Sequence, residues 1–312
     1  MPNRRFKLYF AWNWVAENSA KLGVLEHRYP TLFEFRREIW PHYEHNAAQA
    51  DQGVLGFMEH VVLSDFQHFR DVIRDATGND VEVVHRYVDK LIPLTEELLD
   101  STDTLIVVSL DHSCTSQLPT AAEIAAVNKF LSRTEACLIV SPHHDIGTIG
   151  SDVESQEVEH RHHSDQLVPA AQDIGGYARC LLEAIGVPVR NRFGLNPATT
   201  PEGSPESIIV APLDDLGVLA DVSTFNAHPH LPHLEIRPGA KGKVRVLAKQ
   251  PINPLAAPHP FSRINTHFDA LLWAPPDGER RGQTVICDAT LWSAAFGGLA
   301  SLETLWRNLA RM

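Results

Sequence analysis

Between residues 81 and 150, short apolar runs alternate with amphipathic segments, the pattern left by strands and crossover helices in βαβ units. Residues 81–85 (VEVVH) read as a strand and 95–99 as a short helix. Residues 104–110 (TLIVVSL) form a β-branched run suited to a strand buried on both faces. In 118–131, Ile124, Val127, Phe130 and Leu131 make one helical stripe. Thr120 with Glu123 has the spacing of a capping box. Residues 136–141 (ACLIVS) are the next strand. Parallel neighbours need such crossovers, so the order implies a parallel sheet.

Residues 7–12 read as a first strand. An insertion spanning 17–78 follows, with helical patterns at 31–48 and 64–76. Residues 145–166 are polar and unsuited to a core, and 169–185 is a helix through Ile174, Tyr177, Ala178, Leu181 and Leu182, with Gly186 as its stop signal. After a Pro/Gly/Thr/Ser loop at 196–205 come weaker strands at 207–210, 218–225 and 244–248, a strand at 283–287 and a closing helix at 299–309. With no repeat or linker, residues 1–312 are expected to be one α/β domain carrying the 17–78 insertion.

Composition narrows the function. With 44% hydrophobic and 21% charged residues over 312 positions, the chain is not disordered throughout. Its 27 Lys and Arg against 39 Asp and Glu, a net charge of −12, oppose the phosphate backbone, so no nucleic-acid partner is expected. The four cysteines stand far apart and read as reduced thiols of a cytoplasmic protein. No signal-peptide core and no apolar run of spanning length occurs, so no membrane partner is expected. The unusual number is 17 histidines, because imidazole titrates near neutrality and is the commonest metal ligand.

In open parallel sheets ligands bind beyond the carboxyl ends of the strands. Asn13 follows the first proposed strand, Asp111 and His112 follow TLIVVSL, and His143, His144 and Asp145 follow ACLIVS. Asn226, His228 and His230 follow DVSTF, and Asp288 and Thr290 follow TVIC. Such residues also follow strands as turn formers and caps, but the imidazoles gather on one predicted edge. A further set, His160, His162 and His163, lies in EHRHHSD; on a helix His160 and His163 would share a face. In His228-Pro229-His230, alternate residues of an extended segment project to one side. There is no G-x-S-x-G, G-x-G-x-x-G or P-loop motif, and Cys114 in DHSCTS is the best thiol candidate.

VEVVH, DTLIVVS, the helix from Leu118, ACLIVSPHH and the C-terminal GQTVICDATLWSAAFGGLASLETLWRNLA together resemble the class I glutamine amidotransferase-like superfamily, including its trehalose-utilisation-type branch. The resemblance implies a flavodoxin-like open parallel sheet with helices on both faces and a sharp elbow after ACLIVS. In that superfamily the elbow carries a nucleophilic cysteine, and a late His-Pro-Glu completes a triad. Here the elbow is Ser141-Pro142-His143-His144, and the late motif is His228-Pro229-His230. Both departures argue against glutamine hydrolysis by a thiol triad and add imidazoles at the edge.

The expectation is therefore an enzyme using a divalent transition metal, zinc or iron, bound by residues among His143, His144, His160, His162, His163, His228 and His230. Asp111, His112 or Asp145 would be its general base, and the reaction a hydrolysis or a lyase or isomerase step on a small polar metabolite. Two alternatives are metal-free acid/base chemistry by His143 and His228, with Cys114 as a possible thiol, and an inactive amidotransferase-like binding module. Oligomeric state is not legible. Trp12, Trp14, Trp40, His42, His45, His60 and His68 either wall the pocket or pack as an accessory layer, and packing is the expectation.

Overall fold

The computed structural model of the chain describes residues 4–13, 65–87, 90–111, 117–145, 153–163, 173–211, 214–240 and 242–312. The helical pattern at 31–48 and most of the 17–78 insertion lie outside these. In chain order the first elements are β1 (Phe6–Asn13), α1 (Asp65–Thr77), β2 (Glu82–Tyr87), α2 (Glu96–Asp100), β3 (Thr104–Ser109), α3 (Ala121–Leu131) and β4 (Cys137–Pro142). Then come α4 (Val153–His163), α5 (Gly176–Ala184), β5 (Val189–Leu195), β6 (Ile209–Val210), β7 (Leu231–Ile236), β8 (Arg245–Pro251), β9 (His267–Ala274), β10 (Gln283–Cys287) and α6 (Leu299–Leu309).

Among the described residues, eight strands form one sheet in the order β2-β1-β3-β4-β10-β9-β8-β6. The first five run parallel in the 2-1-3-4-5 arrangement of flavodoxin-like folds. The expected open parallel sheet is present and is extended by three antiparallel strands, β9, β8 and β6. β5 and β7 form a separate antiparallel pair.

Alternation along the strands builds two cores. Ile106, Val108, Cys137, Ile139, Val285 and Cys287 face Phe69 and Ile73 of α1 and Leu302, Leu305 and Trp306 of α6. Leu105, Val107, Leu138, Val140 and Ile286 face Val127 and Phe130 of α3 and Tyr177 and Leu181 of α5. Each large apolar side chain buried there contributes about 1.5–3 kcal/mol. Helices therefore cover both faces. The Thr120–Glu123 capping box is formed. Glu123, fully buried, also receives Arg86 Nη2 at 3.0 Å and the Tyr177 hydroxyl at 3.1 Å. His68, the insertion's one described histidine, bonds Glu303 of α6 at 2.8 Å and meets Trp306 edge-on.

Two departures from the expected elements shape the sheet edge. Residues 218–225 are not a strand: Asp214 accepts from Gly217 N and Leu219 N and starts a run of turns, with Asp221 at φ 60°. Val218, Leu219, Val222 and Phe225 are still buried, so the apolar pattern marked burial without marking conformation. The helix expected from 169 starts at Gly176, because Gly175 is left-handed at φ 83°. A β-carbon at Gly175 would also lie 3.0 Å from Asn191 Nδ2.

Gly298, which opens α6 at φ 67°, has the Phe225 carbonyl oxygen 2.5 Å from where a β-carbon would be. Gly298→Ala is expected to cost more than about 1 kcal/mol, because φ and space both oppose it. Urea denaturation would read this as a lower midpoint. Among the described residues no helix is long and apolar enough to cross a membrane.

Candidate functional site: an imidazole cluster at the sheet edge

β4 and β10 are parallel neighbours, with Ile286 opposite Val140, so the residues after them leave the sheet side by side. His143 follows β4 and Asp288 follows β10. The His143 Nδ1–H donates to Asp288 Oδ1 at 2.8 Å. Asp288 is buried, and its Oδ2 accepts from Thr290 N at 2.8 Å and from the Thr290 hydroxyl. Oδ1 can only accept, so the neutral His143 ring holds its proton on Nδ1 and its lone pair on Nε2.

The elbow is fastened from below and behind. The Trp292 indole donates to Ser141 Oγ at 2.9 Å, and Ser141 Oγ lies 3.5 Å from Cys287 Sγ. Asn191 Nδ2 donates to His143 O at 2.6 Å and to Ile174 O at 2.8 Å, while its Oδ1 accepts from Arg179 at 2.8 Å.

His228 reaches the same place from the loop before β7. Its backbone N–H donates to Asn226 Oδ1 at 3.1 Å, and its Nδ1 accepts from His230 N at 3.2 Å. Accepting at Nδ1 leaves the neutral ring's proton on Nε2, the reverse of His143. Phe296 packs edge-on against His228 with centroids 4.5 Å apart. Ring centroids lie 4.9 Å apart for His143 and His228, 4.3 Å for His143 and His144, 5.1 Å for His144 and His230, and 5.7 Å for His228 and His230. His143 is 15% exposed at its side chain, so the cluster opens to solvent there.

Four of the predicted ligands, His143, His144, His228 and His230, are therefore brought together. His162 is not among them. It packs on His259 at 5.7 Å, with Nδ1 on Ala257 O and Nε2 accepting from Asn196 N, and burial holds its pKa down. Both ring nitrogens hold backbone, so His162 docks α4. The side chains of His160 and His163, and His112 and Cys114 entirely, lie outside the described residues.

Asp111 and Asp145 reach the edge, and each accepts from a backbone N–H there. Asp111 accepts from Ser109 Oγ at 2.6 Å and from Tyr177 N at 3.0 Å, capping α5; burial nevertheless pushes its pKa up. Asp145 accepts from Ile174 N at 2.9 Å. Sequence reasoning placed Asn226, Asp288 and Thr290 at the edge but gave them no role in the site, and it did not single out Phe296. For Asp288 the available signal was Asp-x-Thr immediately after a strand, a capping pattern.

The class so defined is an α/β protein with a flavodoxin-like strand order and a cluster of four imidazoles on the carboxyl edge of its sheet. No family model and no curated protein matches the chain. Among solved structures, the N-terminal domain of mmIFT52 is similar at a TM-score of 0.43 and 11% identity, covering 76% of this chain and 86% of that one. A ThuA-like protein from Bacteroides uniformis ATCC 8492 is similar at a TM-score of 0.42 and 10% identity, covering 98% and 91%.

Proposed function

We propose that the chain is an enzyme that moves protons on a small polar metabolite at this edge, with His143 as general base and His228 as general acid. The observation that carries this reading is the hydrogen-bond pattern, His143 Nδ1 on the Asp288 carboxylate and His228 Nδ1 on the His230 N–H, which assigns the two rings opposite tautomers. A base needs a lone pair at the reacting atom and an acid needs a proton there; His143 Nε2 has the first and His228 Nε2 the second. As His143 takes a proton it becomes an imidazolium, which Asp288 stabilises through Nδ1–H. The His228 Nε2–H stabilises charge developing on a substrate oxygen. Two reactions need this set: activation of water for hydrolysis, and removal of a proton beside a carbonyl in an isomerase or lyase step.

The reading treats the chain as a divergent cytoplasmic relative of the amidotransferase-like superfamily in which imidazoles replace the thiol triad. Ser141 stands buried at the elbow, and burial pushes the thiols of Cys137 up to about 11 and Cys287 up to about 12, which leaves both unreactive. Once a metabolite screen finds a substrate, His143→Ala and His228→Ala are each expected to lower kcat/KM by about 10²–10⁴-fold. Unchanged turnover in both folded variants would sink the proposal.

One observation favours a second reading, in which zinc or iron sits among His143, His144, His228 and His230. A tetrahedral centre with metal–nitrogen bonds near 2.0–2.1 Å puts imidazole centroids roughly 5 Å apart, and the four measured separations bracket that value. Against it, His228 presents a protonated Nε2, and among the described residues no three His, Cys, Asp or Glu groups are arranged to hold a metal ion. Metal analysis of untagged protein decides: about one bound equivalent whose removal abolishes turnover supports the metal reading, and full turnover after exhaustive chelation overturns it.

A further inference from the structure

We propose that Asn226 is the positioning residue that couples the acid of this site to its base, an inference that rests on the acid–base reading above. Asn226 is fully buried, and its side-chain amide is used at both ends. Nδ2 donates to Thr290 O at 2.9 Å and to Thr290 Oγ1 at 3.0 Å, while Oδ1 accepts the His228 backbone N–H at 3.1 Å. The Thr290 hydroxyl, having accepted from Asn226, gives its own proton to Asp288 Oδ2, and Asp288 Oδ1 receives the His143 Nδ1–H.

The result is one directed chain, from Asn226 N–H to Thr290 O–H to the Asp288 carboxylate, with His143 donating from the far side. The same Asn226 side chain holds the backbone of His228, so a single amide is bonded toward both histidines. One further tie seats the residue itself and one its neighbour: Gln250 Nε2 donates to Asn226 O at 2.9 Å, and Ala227 N donates to Phe296 O at 2.8 Å beside the ring that packs on His228.

The chemistry requires an amide here. Aspartate would offer Thr290 no donor and would place a second anion one hydroxyl away from Asp288. Alanine would leave both the His228 N–H and the Thr290 carbonyl without this partner. Asn226 touches no reacting atom; it acts by where it keeps His228.

The test uses the full-length protein labelled with ¹⁵N at histidine, with ring-nitrogen NMR on wild type, Asn226→Ala and Thr290→Val, and circular dichroism to establish folding. Wild type is expected to show a pyrrole-type Nδ1 in His143 and a pyrrole-type Nε2 in His228. In Asn226→Ala the two His228 nitrogen resonances should move toward a common average as the loop loses its anchor, while His143 keeps its tautomer on Asp288 but shows a smaller shift at Nδ1, because the Thr290 hydroxyl has lost its donor. Thr290→Val, close in volume, should perturb the resonances of both rings, and it carries the test alone if Asn226→Ala does not fold. Folded variants with lowered Tm but wild-type His228 and His143 resonances overturn the coupling role and leave the acid–base reading standing. Matching tautomers in wild type overturn that reading itself.

Discussion

Asp288→Asn is expected to reverse the tautomer of His143 and, with it, to remove the site's base. Thr290 N and the Thr290 hydroxyl both donate to Oδ2, so an asparagine must turn its carbonyl oxygen toward Thr290. Its amide then faces His143 and asks Nδ1 to accept. The ring proton moves to Nε2, and the base loses its lone pair at the reacting atom. The fold should barely respond, since the substitution is isosteric and keeps the cap on the Ala289–Trp292 turn. Turnover should fall by about 10²–10⁴-fold, the range that a positioned general base supplies. Steady-state kinetics on any substrate found by screening, read beside Tm, checks this. A variant with wild-type kcat and its His143 proton still on Nδ1 would show that Asp288 acts only as a turn cap.

The second large effect concerns the fold. Glu123 and Arg86 form an ion pair with side chains 0% and 5% exposed. Glu123 Oε1 also meets Leu94 N at 3.3 Å, and Thr120 N donates to Oε2 at 2.8 Å. Removing one partner of a buried pair leaves the other charged and unpaired, at a cost of about 3–5 kcal/mol. Glu123→Gln should therefore lower stability by that order. Replacing Glu123 and Arg86 together by apolar residues of similar volume should cost less than either single change. Burial pushes the Glu123 carboxyl up, but the hydrogen bonds from Arg86 and Thr120 outweigh it and hold the pKa below its ordinary 4.5. A carboxylate with a depressed folded pKa stabilises the fold fully above the unfolded value and loses that contribution as pH falls through the folded one. Denaturation at several pH values should show wild type losing this increment below about 4.5 and Glu123→Gln lacking that portion of the acid dependence. Parallel pH profiles in the two proteins would contradict it.

What the amino-acid pattern made legible depended on how local each signal was. β10 and α6 occur at the residues expected, because an uninterrupted β-branched run and a periodic stripe that starts after a glycine leave few alternatives. The capping box at Thr120 is likewise local. β9 went unread, since HFDALLWA carries Asp269 within an otherwise apolar run, and pairing with β8 and β10 on either side, not periodicity, makes it a strand. His228 and His230 do reach the predicted edge, but they do not follow a strand. The turns after Asp214 and the Asn226 bonds to Thr290 deliver them there. The partnership of His143 with Asp288 spans 145 positions, and nothing short of the β4–β10 register brings the two together. The resemblance to an elbow fold pointed to His143, whereas the roles of Asp288 and Asn226 follow from hydrogen-bond directions that spacing does not encode.

In the proposed acid–base site His143 and His228 hold their protons on opposite ring nitrogens. Long-range ¹H–¹⁵N correlation spectra of the histidine-labelled protein near neutral pH, before and after exhaustive chelation, test it most directly. A proton on Nδ1 of His143 and on Nε2 of His228 is expected, with both patterns unchanged by the chelator. The same tautomer in both rings, or patterns that appear only when metal is removed, would contradict it.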